Sequence, residues 1–159
     1  MSPQERQKRE VLSSDTLMSL PVWYDSLSPL GSAVRYIGGL SPNYNWVGIY
    51  ILKGDHLELG PFLGEPSEHT RIAIGVGVCG TAVATGQDQN IADVRAISNY
   101  LSCSLKTRSE LVVLIRDPET QNILGQIDID SHVEAAFSPE SHEEIRKIAA
   151  ELGALWPKP

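Results

Sequence analysis

A thiol and three carboxyl groups stand close together in one stretch of this sequence. Cys103 lies in a polar loop, Glu110 follows at the start of an apolar run, and Ile127-Asp128-Ile129-Asp130 ends the next one. Side chains of a strand alternate, so Asp128 and Asp130 share one face while Ile127 and Ile129 share the other. The polar run Asp117-Pro118-Glu119-Thr120-Gln121-Asn122 between the two apolar stretches is rich in turn formers, which predicts a β-hairpin over 108–115 and 123–130. A cysteine of this kind is a soft nucleophile once ionised. Crowded acids raise the pKa of at least one of their number, so one carboxyl donates a proton while another stays anionic. Plainer accounts exist for each group: an unreactive loop thiol for Cys103, and a solvated strand face for the acids.

The rest of the chain must position and cover these groups. Apolar residues Val22, Leu27, Leu30, Ala33, Val34 and Ile37 give a rough helical stripe, with a break expected at Pro29 and an end at Gly38-Gly39. The run from Trp46 to Leu52 reads as a strand with Trp46, Gly48 and Tyr50 on one face and Val47, Ile49 and Ile51 on the other. Aromatics flanking a glycine suggest open room above the sheet, the usual lining of a pocket, although buried aromatics are also ordinary core. Lys53-Gly54-Asp55 turns the chain into a second strand from His56 to Leu59. Residues 75–86, rich in glycine and small side chains, predict a short helix that contains Cys79 and ends at Gly86. The lysine of a GxxxxGK[ST] phosphate loop is missing there, which favours tight packing on a sheet over phosphate binding. Ser138 and Pro139 open a last helix whose stripe is Ile145, Ile148, Ala149, Leu152 and Leu155. Short connections call for a mostly antiparallel sheet with helices on one face and a ligand side on the other, an α+β domain.

Composition narrows the function. The 159 residues suit one domain, at 21–159, led by a polar arm or short helix over 1–20 in which Ser13-Ser14-Asp15 is a candidate cap. A formal charge of −7 and a pI near 5.0 speak against nucleic acid. No apolar run suits a membrane span, and the charged first residues lack the core of a signal peptide, so a cytoplasmic location is expected. The two cysteines, Cys79 and Cys103, then rest as thiols. Without a CxxC or a nearby histidine pair they suggest no metal site, and no cofactor is expected.

Five motifs, taken in order, resemble the free methionine-(R)-sulfoxide reductases, a family of single GAF domains. They are Asn45-Trp46-Val47-Gly48-Ile49-Tyr50, Leu59-Gly60-Pro61-Phe62-Leu63-Gly64, Gly77-Val78-Cys79-Gly80-Thr81-Ala82, Cys103 with Ser109-Glu110, and Gly125-Gln126-Ile127-Asp128-Ile129-Asp130-Ser131. The resemblance covers roughly residues 30–155. It implies a GAF fold, reduction of free methionine-(R)-sulfoxide, thioredoxin as reductant, and a homodimer. Carried over by position, Cys103 is the catalytic cysteine, Glu110, Asp128 and Asp130 are pocket carboxylates, Trp46 and Tyr50 are the aromatic wall, and Cys79 is a resolving thiol.

Departures are equally specific. His69 stands where many members carry a further resolving cysteine, Ser104 follows the catalytic position in place of aspartate, and Arg95 replaces a histidine. On this reading Cys103 becomes a sulfenic acid and Cys79 resolves it through an intramolecular disulfide. Lys106 and Arg108 are near enough in sequence to favour the Cys103 thiolate, and residues 93–107 are expected to close over the pocket as a lid. His69 and His132 are expected at the surface. The competing expectation is a GAF domain that binds a small ligand as a sensor or serves as a dimerisation module. A sensor would be joined to an output domain, which 159 residues do not accommodate beside this one, so the enzyme is preferred.

Overall fold

The computed structural model describes residues 20–100 and 104–157. All but the last residue of the arm expected over 1–20, with its candidate cap, and Cys103 lie outside the described residues.

Six strands form one sheet: β1 (Trp46–Lys53), β2 (His56–Leu63), β3 (Arg71–Ala73), β4 (Gln89–Ile91), β5 (Ser109–Arg116) and β6 (Ile123–Ser131). Their spatial order is β3-β2-β1-β6-β5-β4, and every pairing is antiparallel. Among the described residues, helices α1 (Pro29–Gly38), α2 (Gly77–Thr85) and α3 (Pro139–Ala154) accompany the sheet, with a 3-10 turn at Val94–Ala96.

Alternation along the strands divides the interior in two. Val47 and Ile49 of β1, Leu111, Val113 and Ile115 of β5, and Ile127 and Ile129 of β6 pack against Ala33, Val34 and Ile37 of α1 and Ile145, Ile148 and Leu152 of α3. Each Val, Leu or Ile among them, fully removed from water, stabilises the fold by about 1.5–3 kcal/mol. The opposite face gathers Trp46, Tyr50, Leu57, Ile72, Val112 and Leu114 with Val78, Cys79 and Ala82 of α2. Helices α1 and α3 therefore share one face, and α2 roofs the other.

Several local readings change. Pro29 occupies the first turn of α1 rather than breaking it, where its missing N–H costs nothing. Val22 and Leu27 precede the helix and are exposed, so the stripe begins at Leu30. β2 runs on through Pro61 to Leu63, because an irregularity in its pairing with β1 between Gly48 and Tyr50 absorbs the Gly60-Pro61 step. Leu155 falls just past the end of α3, while Ser138 caps its start by accepting from the Ser141 N–H at 3.1 Å. α2 packs as a small-residue helix should: a Cβ at Gly80 would lie 2.5 Å from the carbonyl oxygen of Ala73.

Candidate active site

Three central strands bring the acids together by register alone. Asp130 sits between Trp46 of β1 and Glu110 of β5, and Asp128 between Gly48 and Val112. Because β1, β6 and β5 are in antiparallel register, all of these point to the α2 side. Glu110, Asp128 and Asp130 are only 4%, 1% and 2% exposed. The solvated-face alternative is thereby excluded.

Burial sets the electrostatics. Loss of water pushes the Asp128 carboxyl above its usual range, an effect partly offset by contact with Glu110 and Cys79. Burial, reinforced by the charge of Asp128, pushes Asp130 well above it. Both shifts favour the protonated form over what a solvated carboxylate would show, which suits the cluster to proton donation. Both oxygens of Asp128 and Oδ1 of Asp130 are buried without a well-formed hydrogen bond. Such groups call for a ligand or water between them.

α2 contributes Cys79, which is 5% exposed and donates its thiol toward Glu110 Oε2 at 4.0 Å. Burial first, then the charges of Asp128, Glu110 and Asp130, holds this thiol well above the usual cysteine range. Cys79 is a protonated thiol at rest. A cavity of about 10 Å³, room for roughly one water, is lined by Tyr50, His69, Ile72, Cys79, Glu110 and Asp128 among others. His69, expected at the surface, is half-buried and lines this cavity, and its carbonyl accepts from the Tyr50 hydroxyl at 2.8 Å. His132 is exposed, as expected.

Asp130 faces a second, open cleft of about 380 Å³, lined by Trp46, Gly64, Glu65, Ser104, Thr107 and His132 with Asn45. Ser104 is the chain neighbour of Cys103. The Trp46 indole donates to the Glu65 carbonyl at 3.0 Å and stacks on Phe62 with centroids 5.8 Å apart. The room above Gly48 is not open, contrary to expectation. The Trp46 ring lies across it, and a Cβ at Gly48 would come 2.3 Å from Trp46 Cη2.

Loop anchors escaped sequence reading. The Asn99 side chain accepts from the Gly77 N–H at 3.3 Å and donates to the Gly75 carbonyl at 3.2 Å, fastening the loop before Cys103 to the start of α2. Arg108 donates to the carbonyls of Leu105 and Thr107, so its guanidinium shapes the turn after Cys103. Ser109 donates to the Val133 carbonyl at 2.6 Å and holds the loop beyond Asp130. An isolated loop asparagine or a strand-end serine carries no periodic signal. A larger groove of about 620 Å³ between Gly86–Asp88, Arg116 and α3 lies away from these acids. Its charged groups are already engaged, Asp88 with His142 and Arg146, and Arg116 with the carbonyls of Gly86 and Gln121.

This architecture has known counterparts, although no family model matches the chain. A solved GAF domain, 30% identical, superposes with a TM-score of 0.74 and covers 94% of this chain and 84% of that one. The protein is thus of the GAF fold, an antiparallel sheet with a roofed ligand face. The type II free methionine-R-sulfoxide reductase of Thermoplasma acidophilum is 38% identical, with a TM-score of 0.77 over 80% of this chain and 89% of that one. The free methionine-R-sulfoxide reductase of Escherichia coli is 41% identical over 108 residues, which are 68% of this chain and 64% of that protein's length. The chain belongs to the free methionine-R-sulfoxide reductase family.

Proposed function

We propose that this chain reduces free methionine-(R)-sulfoxide to methionine, with Cys103 as the nucleophile. The observation that supports this most strongly is the buried acid face, whose three carboxyls are held from water on one side of the sheet. Such a face is costly unless protons or a cationic ligand are shared among its members. A free amino acid brings an ammonium group that suits it. The substrate then lies in the cleft over Asp130, with its methylsulfinyl group against the Trp46 indole.

In the chemical step the Cys103 thiolate attacks sulfur, and a protonated carboxyl of the Glu110–Asp128–Asp130 cluster protonates the sulfoxide oxygen. The oxygen passes to Cys103 as a sulfenic acid and methionine leaves, so the sulfoxide is reduced and the thiol oxidised. Cys79 is the only other thiol in the sequence. Its attack on the sulfenic acid gives a Cys79–Cys103 disulfide, and the Cys79 proton, relayed through the adjacent carboxylate, joins the departing hydroxyl as one water. A reduced dithiol protein of the thioredoxin type returns both thiols and carries away the disulfide. A cytoplasmic location fits two cysteines that rest reduced. The family resemblance also suggests a homodimer.

The test is methionine formation from the R epimer by the reduced protein, with the S epimer as control. Mass spectrometry of alkylated protein after a single turnover should find Cys79 joined to Cys103. Unmodified Cys79 beside an oxidised Cys103 would show that the external reductant meets the sulfenic acid directly. No turnover of the R epimer would favour a sensor that merely binds in the same pocket.

A further inference from the structure

Cys79 Sγ, a carboxylate oxygen of Glu110 and one of Asp128 all lie within 4.8 Å of one another. The Sγ–Oε2 separation is 4.0 Å, and all three side chains are more than nine-tenths buried. They come from residues 79, 110 and 128, on α2, β5 and β6, so no local spacing in the sequence announces them. Independently, both carboxylate oxygens of Asp128 lack a well-formed hydrogen bond, and Asp128 lines the cavity that these residues share with His69. A buried carboxylate without a well-formed hydrogen bond, lining an internal cavity beside a thiol and a second carboxylate, is a donor set for a cation.

We propose that Cys79, Glu110 and Asp128 bind a single thiophilic divalent cation of the zinc class, with its fourth position facing the cavity beside His69. Sulfur among the ligands selects zinc or cadmium over magnesium and calcium, which prefer all-oxygen sites. Tetrahedral zinc with bonds of about 2.3 Å to sulfur and about 2.1 Å to oxygen places those ligands roughly 3.6 Å apart. The 4.0 Å separation needs only a small side-chain adjustment to meet that, and the larger cadmium ion needs less. On binding, the S–H bond is replaced by a sulfur–metal bond, and the thiol proton, with any proton held by the two ligating carboxyls, leaves to the buffer. Nothing is oxidised or reduced. The cation also neutralises the mutual repulsion of the acids.

The consequence for activity rests on the proposed function: a cation here occupies the proton-donating acids and masks the resolving thiol, giving reversible inhibition. Binding itself does not depend on that reading, so the test uses no turnover. The reduced full-length protein is titrated with cadmium ion, and the ultraviolet thiolate-to-cadmium charge-transfer band is followed. Wild type and Cys103→Ser should both give the band and saturate at one cadmium ion per chain. Cys79→Ser should lose it, and Asp128→Asn should weaken binding at least about tenfold. If either variant fails to fold by circular dichroism, protection of wild-type Cys79 from alkylation by saturating cadmium or zinc serves instead. A band that survives in Cys79→Ser, disappears in Cys103→Ser, or is absent from wild type would overturn the site. So would alkylation of Cys79 that the metals leave unchanged.

Discussion

Two faces of β6 differ by a single residue step and by everything else. Ile127 and Ile129 are packed under α1 and α3 among aliphatic side chains, where removal from water is the stabilising term. Asp128 and Asp130, interleaved with them, are equally buried under α2 but face other carboxyls, aromatics and a thiol. Equal burial thus has opposite meaning on the two sides. One face supplies the stability that allows the other to keep three acids dry, and the strand's alternation is what separates the two tasks.

Removing the proposed nucleophile should have the largest effect. Cys103→Ser should lower turnover at least about a thousandfold, because a hydroxyl is a poor nucleophile at sulfur. Thermal unfolding of that variant should match wild type; a large loss of stability would make Cys103 a structural residue instead.

The sharpest contrast is between neighbours. Ile127→Ala should destabilise the fold by about 2–5 kcal/mol through the cavity left under the helices, with turnover per folded molecule near wild type. Asp128→Asn should do the reverse: turnover about a hundredfold lower by loss of a proton donor and anion, with stability unchanged or raised. Denaturant unfolding and steady-state kinetics on both variants would erase the distinction if the two behaved alike.

Much of this contrast is legible in the sequence. The alternation in Ile127-Asp128-Ile129-Asp130 and in Trp46-Val47-Gly48-Ile49-Tyr50 assigns each side chain a face, since a strand has period two. The hairpin then brings Glu110 opposite Asp130. What the sequence conceals is the roof. The α2 stretch is apolar and small on every side, so no stripe shows which surface it covers or that Cys79 faces Glu110. His69 comes from a loop with no periodicity, and the fold of Trp46 over Gly48 is a choice of rotamer.

A smaller effect concerns pH. Asp128 and Asp130 have folded-state pKa values raised above those of the unfolded chain, chiefly by burial. The folded state therefore binds more protons, and stability falls as pH rises from about 4, where unfolded aspartates ionise, toward the folded values. Asp130→Asn removes one such group, so its melting temperature relative to wild type should climb over that window. A difference independent of pH would mean that Asp130 is not raised.

The central claim is that the acid face recognises a free amino acid, and one comparison tests it most directly. Initial rates are measured on free methionine-(R)-sulfoxide and on the same compound acetylated at nitrogen, with a dithiol reductant in excess. Acetylation removes the ammonium charge and leaves the sulfoxide unchanged. The account predicts efficient turnover of the free form and a drop in kcat/KM of at least about a hundredfold for the acetylated one, the loss of a buried charged partner being worth about 3 kcal/mol or more. Equal kcat/KM values for the two would contradict it.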